Sequence, residues 1–408
     1  MEHGSNAAPA ADACDIVVVG GGLVGASLAL ALAPRWRVRV VEARPAPQVA
    51  PGALSQGPWD ERCIAVNDGS RRIFEDLGLW PALRGQAQAI RATQISERGR
   101  FGVARFTAAE AGLDALGWNI PVRVLGLAAW QALQAAKVKI SSATQVLNVQ
   151  PEREATVVEL ATPAGTTRIR ARLVVAADGA HSTVREKLGV GAEVRRYGQH
   201  AIVTAVRIAR PHGGVAYERF TREGPLAVLP KAADACSLVQ TVPDARCEAL
   251  MALDDAAYLI QAQAVFGGRL GRFTALGRRV PHALERVVSA SVIAPRAAFV
   301  GNAAQSLHPV AAQGFNLGLR DAGNLAALLA QATDPGAGAL LERFMAIRQA
   351  DRAAASDFTD LLARVFANRV PGLAQTRHWG LVGAQLVPAV HRRLLHQHLG
   401  HLGLPAGE

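Results

Sequence analysis

Lysine is nearly missing from this chain: Lys137, Lys139, Lys187 and Lys231 are its four lysines among 44 basic residues, and the formal charge of +11 rests on scattered arginines. Scattered charge excludes the basic stripe that nucleic-acid binding needs, so no nucleic-acid partner is expected. It leaves a mild preference for anionic surfaces, lipid headgroups or phosphorylated cofactors. Cysteine is scarce too. Cys14, Cys63, Cys236 and Cys247 show no C-x-x-C spacing, which excludes a zinc knuckle and a disulfide framework and fits a reducing cytosol. There is no internal repeat and no low-complexity linker. Half of the 408 residues are apolar, enough to bury a large core in two or three domains or one elaborated unit.

Residues 16–34, "IVVVGGGLVGASLALALAP", carry no charge at all. Their upstream flank holds Glu2, Asp12 and Asp15 but no Lys or Arg, and Gly20, Gly21, Gly22 and Gly25 crowd the first half. Neither a signal peptide nor a spanning helix has that character. A strand, a turn and a helix fit better. Ile16 to Val19 make the continuous apolar run of a strand buried on both faces. Gly20, Gly22 and Gly25 then spell G-x-G-x-x-G: the first glycine makes the tight turn, the second admits a pyrophosphate, and the third lets helix pack on strand. The phosphates would lie on the helix N-terminus. A second strand, "WRVRVVEAR", ends in Glu42 about twenty residues on, where a carboxylate binds an adenosine ribose. The spacing points to an adenine dinucleotide and leaves FAD and NAD both open.

Beyond Glu42, "ARPAPQVAPGALSQGPWDER" reads as a long loop. "GSRRIFEDLGLW" and "VLGLAAWQALQAA" read as helices, while "KVKISSATQVLNVQ", "EATVVELAT" and "TTRIRARLVVAADGA" read as strands. Short strands between turns over 198–243 predict an antiparallel sheet inserted into an α/β scaffold. Residues 244–290 read as mostly helical, and 335 onward as helical to the end. The expected architecture is a Rossmann-type FAD-binding domain built from 1–75, 111–190 and 285–334, a substrate domain from 76–110 and 191–284, and a C-terminal helical region over 335–408.

Two further stretches carry chemistry. "RLVVAADGAHSTVREKLG", 172–189, is a buried strand, Asp178-Gly179 and a helix. "GNAAQSLHPVAAQGFNLGLRD", 301–321, is polar yet almost uncharged. With the amino-terminal motif, the "DERCIAVNDGS" block and "AYERFTREGPLAVLP", they make the chain resemble the flavoprotein aromatic hydroxylases of the para-hydroxybenzoate hydroxylase fold. More narrowly it is similar to the ubiquinone-biosynthesis hydroxylases.

That resemblance implies FAD as cofactor, NAD(P)H as a transient co-substrate, and Gly20, Gly22, Gly25 and Glu42 at the ADP moiety. It places Asp178 and Gly179 near the pyrophosphate, Gly301 and Asn302 at the ribityl chain, and Arg62 and Arg123 as cofactor-contacting arginines. "HPVAAQGFN" would pass the flavin ring, with Gln313, Gly314 and Asn316 at the cofactor and His308 and Pro309 nearest the reaction centre. The commoner family spelling has Asp, His and Gly where this chain has Asn302, Gln305 and Ala312. Asn302 keeps an acceptor oxygen, and the Asn and Gln resemble the 2-polyprenyl-6-methoxyphenol hydroxylase branch.

The implied reaction is NAD(P)H reduction of FAD, capture of O2 as a C4a-hydroperoxide, and ring hydroxylation of a polyprenylated phenol in ubiquinone synthesis. Alternatives are a hydroxylase of a small soluble aromatic, a non-catalytic FAD-binding subunit of a biosynthetic complex, and a flavin-dependent isoprenoid reductase. There is one dinucleotide fingerprint, so NAD(P)H would dock transiently. No metal is expected: His391, His396, His398 and His401 lack accompanying carboxylates or cysteines and read as a solvated face of a helix whose apolar side rests on the protein, a partner or a membrane. Expected partners are the phenol, O2, other ubiquinone-biosynthesis proteins and the membrane surface; the expected location is cytoplasmic, peripheral at the inner face of the cytoplasmic membrane.

Overall fold

Ile16, Val17 and Val18 are fully buried, and a strand covered on both faces has no polar side to show. The computed structural model describes residues 12–47, 54, 57–100, 102–306, 313–349, 351–352, 385 and 387–401. Its first strand, Asp12–Val19, pairs in parallel with Val38–Val41 and with Gly165–Ala176. Lys139–Ser141 and Ala297–Phe299 extend the parallel row at either side. Parallel neighbours need a crossover, and the helix Leu23–Leu32 supplies the first, packing against the helices Val122–Ala135 and Gln313–Leu329. The near half of Gly165–Ala176 folds back as an antiparallel hairpin with Thr156–Thr162, which pairs in turn with Gln145–Pro151.

A nine-stranded sheet forms the second layer. Its spine is the 17-residue strand Ala192–Ile208, paired antiparallel with Ala235–Pro243 and Val280–Ser289. Leu226–Ala232, Val215–Phe220, Ala92–Glu97 and Val103–Thr107 continue it outward. Alternation sends Ile202, Val206, Leu226, Val228 and Leu238 to an outer face, where the helices Asp244–Met251 and Asp255–Phe266 cover them with Leu250, Tyr258 and Phe266. Between the layers lies a small sheet of Cys63–Asn67, Gly117–Pro121 and Gln88–Ile90.

The structure corrects three expectations. Residues 273–289 are not helical: Phe273–Leu276 and Val280–Ser289 are strands. Leu284 and Val287 are both buried at a helix-like spacing of three, because the partner strand shifts register between Arg196 and His200 and the buried parity changes across it. The domain boundary expected at 284/285 therefore falls inside one continuous strand of the large sheet.

The third correction concerns the C-terminal histidines. The helix Pro388–Leu399 docks on its own chain, burying Leu395 and Leu399 against Ala104, Phe106, Ala108 and Leu116. His391 stacks on Phe106 at 4.7 Å, His398 Nε2 lies 3.1 Å from Thr93 Oγ1, and His401 Nε2 lies 2.8 Å from Asp68 Oδ2. Only His396 keeps the exposure expected of all four. Residues 338–349 are helical, as expected; 353–384 lie outside the described residues.

Candidate active site

Three turns meet where the parallel strands end. Gly20 has φ +102°, and a Cβ there would stand 2.4 Å from the Ala177 carbonyl oxygen and 2.9 Å from the Asp178 nitrogen. The first and second motifs thus touch backbone to backbone, which only glycine permits. A Cβ at Gly25 would lie 1.9 Å from the Gly20 carbonyl oxygen, so the helix sits directly on the turn. Gly301, at φ +59°, faces Val24, and a Cβ on Gly318 would lie 2.8 Å from the Gly301 Cα. The third motif therefore closes on the first helix and on Gln313–Leu329 together.

Around this junction several groups are left open to a ligand. Gly22 caps the first helix with no side-chain hydrogen bond, and a Cβ there would meet nothing within 4 Å. Free N–H groups at such a terminus suit a pyrophosphate. Glu42 is buried; its Oε2 accepts from the Gly21 N–H at 2.7 Å and its Oε1 from the Arg44 backbone and Nε, each at 3.0 Å. Asp178 accepts from the Val184 N–H at 3.2 Å through Oδ2, while its buried Oδ1 has no partner and burial pushes the carboxyl up. Gly179, at φ +96°, and Gly314 also open on empty space. An uncapped helix end, an orphaned carboxylate oxygen and glycine-lined room are what a dinucleotide needs, so the residues fit FAD.

The remaining expected residues divide. Asn302 is exposed on the turn Gly301–Ala303. Arg62 is exposed, whereas Arg123 engages Glu61 at 2.9 and 3.3 Å. Asn316 is buried and spends its amide on the main chain of the small sheet, accepting from the Asn67 N–H and donating to the Ala65 carbonyl, both at 3.0 Å. Gln305 is buried and accepts from Arg352 Nε at 3.1 Å. Gln313 opens its helix, with its side chain outside the described part; His308, Pro309 and Ala312 lie outside the described residues.

Sequence reasoning missed the arginines and the acid that lock these turns. Arg185 donates to the Ala303 carbonyl and to the Ala180 carbonyl, both at 2.8 Å, stitching the second motif to the third. Asp321 accepts the Gly301 N–H at 2.9 Å and, through its other oxygen, Arg348 Nε at 2.6 Å. Asp321 stands in a nearly uncharged run, and an acid inside an apolar helix is a usable signal. Arg348 offers none.

Residues 13–359 match the family described as FAD binding domain. Over 96% of its length the chain is 34% identical to the ubiquinone hydroxylase UbiL of Rhodospirillum rubrum, covering 90% of that protein. The chain belongs to the FAD-dependent ubiquinone hydroxylases. The hydroxylase is also 34% identical, over 95% of its length, to 98% of the Escherichia coli 3-demethoxyubiquinol 3-hydroxylase. Among solved structures, p-nitrophenol 4-monooxygenase PnpA of Pseudomonas putida superposes with a TM-score of 0.77 over 95% of this chain and 99% of that one. At 20% identity that likeness establishes the fold. The enzyme is an FAD-dependent monooxygenase acting on an aromatic ring in ubiquinone synthesis.

Proposed function

We propose that this hydroxylase uses NAD(P)H and O2 to hydroxylate a polyprenylated phenol, with 2-polyprenyl-6-methoxyphenol as substrate. The observation that carries the reading is the junction of three glycine turns on one uncapped helix end, in a chain akin to ubiquinone hydroxylases over nearly its whole length. When bound, FAD supplies the oxygen-activation chemistry. Gly22 and the helix it caps would hold the pyrophosphate with Asp178 near it, Glu42 the ribose, and Asn302 the ribityl chain. His308 and Pro309 are proposed beside the reacting ring. The part of the protein in the reaction is to orient that ring and exclude water.

The Escherichia coli relative, whose name gives a demethoxyubiquinol as its substrate, favours a second reading in which a demethoxyubiquinol ring is hydroxylated. No helix among the described residues is long and apolar enough to cross a membrane. Contact with the membrane that holds a polyprenyl chain is proposed through exposed Val387 and Val390, next to exposed Arg392 and Arg393.

The test is reconstitution with FAD, anaerobic mixing with NADPH, and addition of a short-chain 2-prenyl-6-methoxyphenol or of the demethoxyquinol. Flavin absorbance that bleaches faster with the methoxyphenol, followed in air by a product with one added oxygen, supports the first reading. The same response to the quinol alone supports the second, and no response to either sinks both.

A further inference from the structure

The strand Val215–Phe220 lies between Ala92–Glu97, its parallel neighbour, and Leu226–Ala232, its antiparallel one. Tyr217 turns outward, its ring 5.4 Å from Phe266 in the outer core. Alternation then sends Ala216, Glu218 and Phe220 to the inner face. The register extends that face as a band: Glu218 stands beside Ile95 and Ala227, Ala227 beside Val239, Val239 beside Val203, and Val203 beside Val280. The outer-face residues Leu226, Leu238 and Ile202 are fully buried, whereas Ala227, Val239, Val203 and Val280 are only partly covered. The inner face is thus an apolar trough with a carboxyl at one end.

Two contacts show what this trough looks onto. Ser237, two residues from Val239 and on the same face, accepts at 3.1 Å from Asn119 of the small sheet, the sheet whose Ala65 and Asn67 are gripped by Asn316. His282, beside Ala201 in the next row, is held low by burial and by the charge of Arg62. The trough therefore opens toward the unit that carries the three glycine turns.

Glu218 itself has no hydrogen-bond or ion-pair partner among the described residues. Burial alone pushes its carboxyl up to about 7. The titratable groups on its face are Glu97, across from Phe220 on the neighbouring strand, His282 at the far end of the trough, and His398 of the C-terminal helix, bonded to Thr93 and kept neutral by burial that lowers it to about 4. Leu394 and Leu395 of that helix pack near Ile95, and Arg219 points to the outer face. A partly buried acid without a donor is costly to keep, and a general base works best with a pKa near the working pH.

We propose that Glu218 receives the ring hydroxyl of the phenol when the ring lies along Ala227, Val239 and Val203, and acts as the base that takes its proton. This rests on the proposed phenol hydroxylation. In the step the phenol O–H bond breaks, its electron pair stays on oxygen and delocalises into the ring, and the proton forms an O–H bond with the Glu218 carboxylate. The ring carbons ortho and para to the oxygen become more electron-rich, which is what electrophilic oxygen transfer requires. The small, partly covered side chain of Ala227 leaves room for the ring's edge beside the carboxyl.

The experiment compares FAD-reconstituted wild type with Glu218→Gln and Glu218→Asp. A fluorinated 2-prenylphenol, whose phenolate absorbs apart from the phenol, is titrated into the oxidised enzyme, and hydroxylation is followed against pH. Wild type is expected to show the bound-phenolate band and a rate that rises with pH through about 7. Glu218→Gln should bind FAD normally, lose the band, lose the limb near 7, and hydroxylate an unfluorinated phenol about 100-fold more slowly. Glu218→Asp should recover part of the rate, and the more acidic fluorinated phenol should restore much of it to Glu218→Gln. Retention of the band and the limb by Glu218→Gln overturns the proposal, as does a slow variant whose pH profile is unmoved and which the acidic phenol does not rescue. If wild type shows the glutamate-dependent band but no hydroxylation, the functional reading fails while the role of Glu218 stands.

Discussion

A methyl group added at Gly22 and one added at Gly25 meet opposite surroundings. At Gly22 the backbone is extended, with φ −65° and ψ 178°, and the new atom enters open space. At Gly25 it collides with the Gly20 carbonyl. Gly22→Ala should therefore leave the unfolding free energy of the FAD-free protein within about 1 kcal/mol of wild type, yet weaken FAD at least about tenfold, ~1.4 kcal/mol. Gly25→Ala should destabilise the free protein by about 1–3 kcal/mol through overpacking, with FAD affinity falling as a consequence. Urea titration with and without FAD separates the two; a Gly22→Ala variant with unchanged FAD affinity removes the pyrophosphate from that helix end. The glycines were legible because their demand is local: a turn, an approach, a cap. Arg185 and Arg348 were not, because each is explained by a carbonyl or a carboxylate far along the chain, and a guanidinium in a sequence carries no sign of its partner.

Elements were legible wherever one period ran unbroken. The strand Asp12–Val19 and the helix Asp68–Asp76 follow directly from their apolar spacing. Val280–Ser289 failed that test, since a register shift in its partner changes which parity is buried part-way along. The C-terminal helix misled in another way: His391, His398 and the following His401 are docking groups, and only His396 faces water. His398 provides a pH test of that docking. Burial lowers it to about 4 from an ordinary value of 6.5, so the folded state keeps it neutral while the unfolded state takes a proton. Its contribution is full above pH 6.5, is lost as pH falls through the window from 6.5 to 4, and changes no further below. Asp68 acts elsewhere: burial would raise it, but bonds from His401 and Arg71 outweigh that and hold it at about 2, so its contribution is lost only below 3.8. The protection of amides across 388–399, taken relative to their intrinsic exchange rate at each pH, should therefore fall between pH 6.5 and 4, and His398→Gln should flatten the change; the same fall in the variant would assign it to another group.

At the scale of the whole molecule the nine-stranded sheet and the unit that carries the three glycine turns are joined through the small sheet by polar contacts. Asn119, almost fully buried, donates to the Pro230 carbonyl at 2.9 Å and to Ser237 Oγ at 3.1 Å, while Lys231 donates to the Glu61 carbonyl and contacts Cys63 Sγ at 3.2 Å. Asn316 anchors the other side of the same small sheet to the helix that begins at Gln313. None of this was visible in the sequence, where Asn119 is one polar residue in "GWNIP", because the fold alone brings it to Pro230 on the strand Leu226–Ala232. The joint sets where the proposed substrate trough sits relative to the proposed flavin site. Asn119→Ala would strand the Pro230 carbonyl, costing about 1–3 kcal/mol, and free the trough to shift. FAD affinity should then stay at the wild-type value while the KM for the phenol rises and NADPH oxidation uncouples from product, since a ring displaced by about 1 Å loses its reactive alignment. A loss of FAD affinity equal to the loss of stability would instead mean that the two sheets fold as one unit, with Asn119 serving both sites through stability alone.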